Sequence, residues 1–182
     1  LFEKGEDTLL RGLEKFPTET RLIEKLVAYY ESHRLFEKAA KVLSSFVLLE
    51  PDNSAALAKI GFYEKNLKHP EKALVWFNKA LTVSADFEWA RIQKIGLLLK
   101  TENTENAEKE LKIFLNQKPD SEWALLELLQ LKLKQEQFAE TEMLLNKSLQ
   151  KYKESPGLLQ TQGRLYIIQQ RWHEAEQVFK KL

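Results

Sequence analysis

Three histidines, His33, His69 and His173, are the residues of this 182-residue chain best suited to acid–base work or metal binding near neutral pH. Two histidines on one helix face with a glutamate between them, H-E-x-x-H, would hold zinc. His173-Glu174-Ala175 begins that pattern, but no second histidine follows. Each histidine falls in or beside a polar break, which predicts solvated turn residues. With no cysteine there is no thiol nucleophile, thiolate metal site or disulfide. The six glycines are isolated, so none builds a phosphate-cradling loop, and no serine stands in a G-x-S-x-G setting. Acidic residues alternate with lysines, as from Glu105 to Lys112, the pattern of a solvated helix face. These residues predict no catalytic site, no metal and no cofactor. Recognition is the chemistry left. Trp89 and Trp123 recur 34 residues apart in the matched contexts Glu88-Trp89-Ala90 and Glu122-Trp123-Ala124. Exposed aromatic residues of this kind anchor partner proteins.

The elements that carry such residues follow from composition and period. The hydrophobic fraction of 43% supports a buried core, and a net charge of +1 argues against a nucleic-acid or anionic-membrane binder working by bulk electrostatics. Six glycines and five prolines are too few turn-formers for an all-β fold. No stretch approaches the roughly 18 apolar residues of a membrane span. The best run, Val42 to Leu49, includes two serines. The opening Leu1-Phe2-Glu3-Lys4 lacks an initiator methionine and a signal-peptide pattern, so a segment of a longer protein is expected. The compartment stays open: cytoplasmic, or periplasmic if the parent is exported.

The sequence repeats every 34 residues. Small residues recur at Gly5, Ala39, Ala73, Ala107, Thr141 and Ala175, and large apolar ones at Leu9, Leu43, Phe77, Leu111, Leu145 and Phe179. Pro17, Pro51 and Pro119 share the register, with Ala85 at the intervening position. Each unit reads as two amphipathic helices. Between Ser54 and Phe87, the residues Leu57, Ile60, Gly61 and Tyr63 form one apolar stripe, and Ala73, Leu74, Phe77, Ala80 and Leu81 a second. Asn66 to His69 separates them. Pro70 suits a first-turn position, and Ser54 is the expected N-cap of the first helix. The small residues let paired helices approach closely.

This period and pattern resemble the tetratricopeptide (TPR) family, whose signature is W-x2-L-G-x2-Y…A-x3-F…P. The matching residues are Leu57, Ile60, Gly61, Ala73, Phe77 and Ala80 in one unit. They are Ile23, Leu26, Tyr30, Ala39, Leu43 and Pro51 in the unit before, and Leu159, Gly163, Tyr166, Ala175 and Phe179 in the last. Arg91, Lys94, Thr141 and Ser148 depart from it. The resemblance implies an all-α, right-handed superhelical solenoid of antiparallel helix pairs, about five and a half repeats long. The expected division of the single array 1–182 is a partial repeat 1–17, repeats 20–51, 54–85, 88–119 and 122–153, and a partial repeat 156–182. Ends cut within a repeat would expose Phe2, Leu9, Phe179 and Leu182 and favour end-to-end self-association.

The resemblance also implies a binding surface, because many TPR arrays hold a partner's peptide or helix in a concave groove lined by first helices. Projected here, that face collects Ala58, Lys59, Phe62 and Lys65, then Trp89, Ile92, Gln93, Gly96 and Leu99. Further along come Trp123, Leu126, Glu127, Gln130 and Leu133, and finally Arg164. The two tryptophans either stand at the groove edge or pack into the seam between repeats. Ile92, Leu99, Leu126 and Leu133 suggest an apolar or helical ligand. Some co-chaperone members clamp a carboxyl terminus with basic residues. At the corresponding Glu24, Ala28, Lys59, Trp89 and Gln93, only Lys59 is basic, so that role falls in rank. The expected function is a non-enzymatic scaffold for a protein or peptide partner, with neither nucleic-acid binding nor membrane insertion by this segment. Two further readings rest on the parent chain: a repeat region of a bacterial envelope, secretion or polysaccharide-export assembly factor, or a regulatory repeat region attached to an enzyme domain.

Overall fold

A computed structural model describes residues 2–182, with side chains from residue 5 onward. The described residues form eleven α-helices and no strand: α1 (Phe2–Lys15), α2 (Thr20–Ser32), α3 (Phe36–Leu49), α4 (Ser54–Asn66), α5 (Pro70–Val83), α6 (Glu88–Lys100), α7 (Thr104–Gln117), α8 (Glu122–Lys134), α9 (Phe138–Lys151), α10 (Pro156–Ile168) and α11 (Trp172–Phe179). The even-numbered helices are the first helices of the predicted pairs.

Short connections fix the pairing. Each first helix ends in the same turn, with Arg34, Lys68, Glu102, Glu136 and Gln170 in the left-handed region at φ of 56° to 63°. In each, two backbone N–H groups reach back to the last helical carbonyls, as Lys68 N to Lys65 O at 3.1 Å and His69 N to Glu64 O at 2.9 Å. This is the Schellman arrangement, normally built around glycine. Helix starts use local acceptors. Asn53 Oδ1 accepts from Ala56 N at 2.9 Å, so Asn53 and not Ser54 caps α4; its side chain reaches the third residue onward, where a free N–H points out of the helix. Pro70 and Pro156 occupy first-turn positions, where a missing N–H costs nothing.

The chain divides into two compact units, residues 1–103 (α1 to α6) and 104–182 (α7 to α11). The boundary falls inside the segment 88–119 expected as one repeat. In the first unit each helix packs on its neighbours in the chain, and α4 also packs on α6. In the second the same holds, with α8 on α10. These skipping contacts set first helix against first helix.

The predicted stripes form the cores. Ile60, Tyr63, Ala73, Phe77 and Ala80 are buried in the first unit, and Ala107, Leu111, Leu145, Leu159 and Ala175 in the second. Two glycines are close-approach positions. A Cβ at Gly61 would stand 2.9 Å from the Phe77 ring and 3.2 Å from the Ala73 carbonyl oxygen, and one at Gly163 would stand 2.3 Å from the Phe179 ring. The departures from the repeat pattern are accommodated locally. Buried Thr141 donates its hydroxyl to the carbonyl of Gln137, the N-cap of α9, at 2.8 Å, and buried Ser148 to Leu144 O within α9 at 2.7 Å. Buried Arg91 turns its guanidinium back to Ala85 O at 2.7 Å. Of the residues expected to be exposed at the ends, Phe179 is 38% and Leu182 58% exposed, Leu9 is half-buried, and the Phe2 side chain lies outside the described residues.

Candidate functional site

In the first unit, α4 and α6 bring Phe62, Lys65, Trp89 and Gln93 together. The Phe62 and Trp89 rings lie 5.8 Å apart, centroid to centroid, and Phe36 meets Phe62 edge-on at 6.5 Å. Phe87, just before α6, also lies against Trp89, its ring tilted at 6.1 Å centroid to centroid. Trp89 is nonetheless 37% exposed. It therefore packs across the seam between two first helices and also presents an open edge. The aromatic contacts come from the repeat itself: α4 against α6 sets Phe62 beside a residue near the start of the next first helix.

Polar groups border this shelf. Lys65 Nζ lies 5.1 Å from the Phe62 ring centroid and donates to Gln93 Oε1. Burial, and then the like charge of Lys100, hold the Lys65 ammonium below its ordinary pKa. Lys59 stands 3.7 Å from Glu31, whose other contact is the buried Tyr63 hydroxyl, donating at 2.6 Å. Burial and this bond to a carboxylate push the Tyr63 phenol far above its usual range. Ile92 and Leu99 are half-buried on α6. Ala58, projected onto the same surface, is buried in the core.

In the second unit, Trp123 is 38% exposed and meets the buried Phe114 ring of α7 edge-on at 5.8 Å. Leu126 packs towards α10, since a Cβ at Gly157 would stand 2.7 Å from its Cδ1. Glu127 is half-buried, and Gln130 and Arg164 are exposed. Leu133, projected onto the groove, joins the core of the unit with Leu125 and Leu129, because it follows Leu129 by one turn on the buried stripe.

His33 and His69 are turn residues, at the end of α2 and just before α5, whereas His173 lies in the first turn of α11. His69 Nδ1 lies 2.8 Å from Glu64, and His33 Nδ1 2.8 Å from Tyr29 O. Among the described residues no group of three or more His, Asp or Glu side chains is placed to hold a metal ion, and no helix is long and apolar enough to cross a membrane.

Neither a family model nor a curated protein matches the sequence. Solved structures do match. MamA from Desulfovibrio magneticus RS-1 superposes with a TM-score of 0.73 at 20% identity, over 88% of this chain and 91% of that one. YrrB, described as a TPR protein with an unusual peptide-binding site, superposes with a TM-score of 0.72 at 13% identity, over 95% of this chain and 89% of YrrB. The fold is that of a TPR array. PilF of Pseudomonas aeruginosa is a third TPR-like neighbour, with a TM-score of 0.64 at 16% identity, covering 99% of this chain and 76% of that one. The first helices that bring Phe62 to Trp89 are thus the first helices of TPR pairs.

Proposed function

We propose that this TPR segment is a non-enzymatic scaffold that binds a peptide, helix or protein partner on the exposed face of its first helices. Trp89 is the anchor in the first unit and Trp123 in the second. The observation that carries this reading is Trp89 itself: its ring is fixed by Phe62 and Phe87, yet over a third of the residue is open to solvent. A large aromatic held in place before binding loses little side-chain entropy when a partner covers it, which is how hot spots gain their energy. YrrB supplies a precedent for peptide binding on this fold. In this reading Lys59, Phe62, Lys65, Ile92, Gln93 and Leu99 surround the first anchor, and Leu126, Glu127, Gln130 and Arg164 extend the second. The test is a calorimetric titration of a captured partner against Trp89→Ala and Trp123→Ala. Both variants should keep their helix content. The loss expected is about 2 kcal/mol of binding free energy for an anchor. Unchanged affinity in both variants would sink the assignment.

A further inference from the structure

One position beside the aromatic shelf is bare. Gly96 stands one repeat after Phe62, so the place where α4 carries a phenyl ring is empty on α6. A Cβ built there would meet nothing within 4 Å, in contrast to the tight fits at Gly61 and Gly163. Glycine is a poor residue for a helix interior, and here no close packing calls for it. Gly96 follows Gln93 by three residues and precedes Lys100 by four, so all three share one helix face. Across from them on α4 stands Lys65, bonded to Gln93 and lying over the Phe62 ring. The result is an open notch at Gly96, with Gln93 and Lys100 on its own helix face, Lys65 and the Phe62 ring on α4, and Trp89 packed on that ring.

Those ammonium groups have no carboxylate of their own. Lys65 has the Gln93 amide as its hydrogen-bonding partner, and Lys100 is close enough for its like charge to act on it. Elsewhere in the molecule the lysines that reach between helices find acids: Lys38 finds Glu6, Lys59 finds Glu31, and Lys132 finds Glu108 and Glu140. Lys65 is half-buried beside the like charge of exposed Lys100, and an arriving anion relieves that repulsion.

We propose that the notch at Gly96 receives the side-chain carboxylate of an acidic residue from a partner peptide, held by Lys65 and Lys100, with a neighbouring apolar side chain of the same peptide on Phe62 and Trp89. This rests on the first-helix surface being the binding face, and it adds the chemistry of the ligand: an acidic residue next to an apolar one, inside a chain rather than at its end. Charge complementarity selects the acid. The open space at Gly96 admits it, and the amide of Gln93 keeps Lys65 aimed at the notch until it arrives.

The experiment titrates the protein, by fluorescence anisotropy, into short end-capped peptides that share one arrangement of leucine and phenylalanine. The remaining positions carry glutamate, glutamine or lysine. The glutamate set should bind at least about tenfold more tightly than the glutamine set, the size of a charge-assisted hydrogen bond, and the lysine set should be weakest. The double variant Lys65→Gln, Lys100→Gln should erase the preference and leave the affinity for the glutamine set in place. Gly96→Phe should abolish binding of both sets without lowering the melting temperature. Equal binding of glutamate and glutamine sets, or a preference that survives in the double variant, overturns the proposal. So does displacement of the glutamate peptide by a short single-stranded oligonucleotide, which would assign the notch to phosphate. If Gly96→Phe abolishes binding while the two sets bind equally, the surface stands and the acid assignment fails. If neither Gly96→Phe nor Trp89→Ala changes binding of any peptide, the surface itself is refuted.

Discussion

Glutamates at three repeat-equivalent positions, Glu6, Glu108 and Glu142, meet a different base each time. Glu6 accepts from the Tyr30 hydroxyl at 2.7 Å and from Lys38 at 2.8 Å. Glu108 pairs with Lys112 at 2.7 Å and with Lys132 at 3.1 Å, while Glu142 takes Arg171 at 2.7 Å. Lys132 is the instance with most at stake, because its side chain is 2% exposed and also pairs with Glu140 at 2.8 Å. Burial alone would lower its pKa, and the bonds to Glu140 and Glu108 outweigh that and leave it above its ordinary 10.5. Removing the cation strands two carboxylates near one another. Lys132→Ala should therefore cost about 2 kcal/mol in urea denaturation at pH 7, and Lys132→Met less, since the methionine fills the stem's volume. Glu108 sits below its ordinary 4.5, chiefly through Lys112 and against its own burial, with Lys132 assisting. Its contribution is complete above pH 4.5 and disappears as pH falls through the lowered value; that of Lys132 is complete below pH 10.5 and disappears as pH rises through the raised one. The wild-type advantage over Lys132→Met should thus shrink at both extremes. The glycines give a second residue-scale contrast. Gly96→Ala should stabilise by about 0.8 kcal/mol because space is free and alanine is the better helix former. Gly61→Ala and Gly163→Ala should destabilise, since Phe77 and Phe179 must move; thermal melts separate the signs.

At the scale of elements, the five left-handed turns show how the helix pairs close without glycine. Arg34, Lys68, Glu102, Glu136 and Gln170 fall at 34-residue intervals, all with positive φ. A side chain there costs about 1 kcal/mol against glycine, offset in part by the greater freedom glycine has in the unfolded chain. The fold keeps the turn because two backbone bonds and the packing of the flanking helices impose it. Lys68→Gly and Gln170→Gly should each gain about 0.5 kcal/mol, and Lys68→Ala should gain nothing. Chemical denaturation of the three variants decides it. The sequence shows these positions only as polar residues in a break, because long polar side chains suit any exposed turn whatever its φ.

For the whole molecule, stability is divided among stacked pairs that touch mainly their neighbours. Phe77 is fully buried and closes over Gly61, so it couples α5 to α4. Phe77→Ala should cost about 3–5 kcal/mol locally. In native-state hydrogen exchange the amides of α4 and α5 should lose most protection, those of α3 and α6 less, and those of α2 least. A uniform loss across these helices would contradict that neighbour-by-neighbour coupling.

The amino-acid sequence by itself determines the 34-residue period, the helices it predicts and the residues on their buried stripes. Those features depend on which residue types recur at helical spacing, and burial of that stripe leaves one solution for each helix. Even Thr141 and Ser148 obey it, since a hydroxyl bonded to the carbonyl four residues back is tolerated where a small residue is needed. The candidate surface is less legible. Trp89 and Trp123 stand out in the sequence, but whether a tryptophan faces the seam or solvent depends on the offset between consecutive first helices, and Trp89 does both. That same offset sets Lys65 opposite Gln93, while the packing of α8 against the second helices α7 and α9 encloses Lys132 between Glu108 and Glu140. Exposed and half-buried side chains meet across helices, at distances fixed by how the cores pack, so only the tertiary structure decides which of them become neighbours.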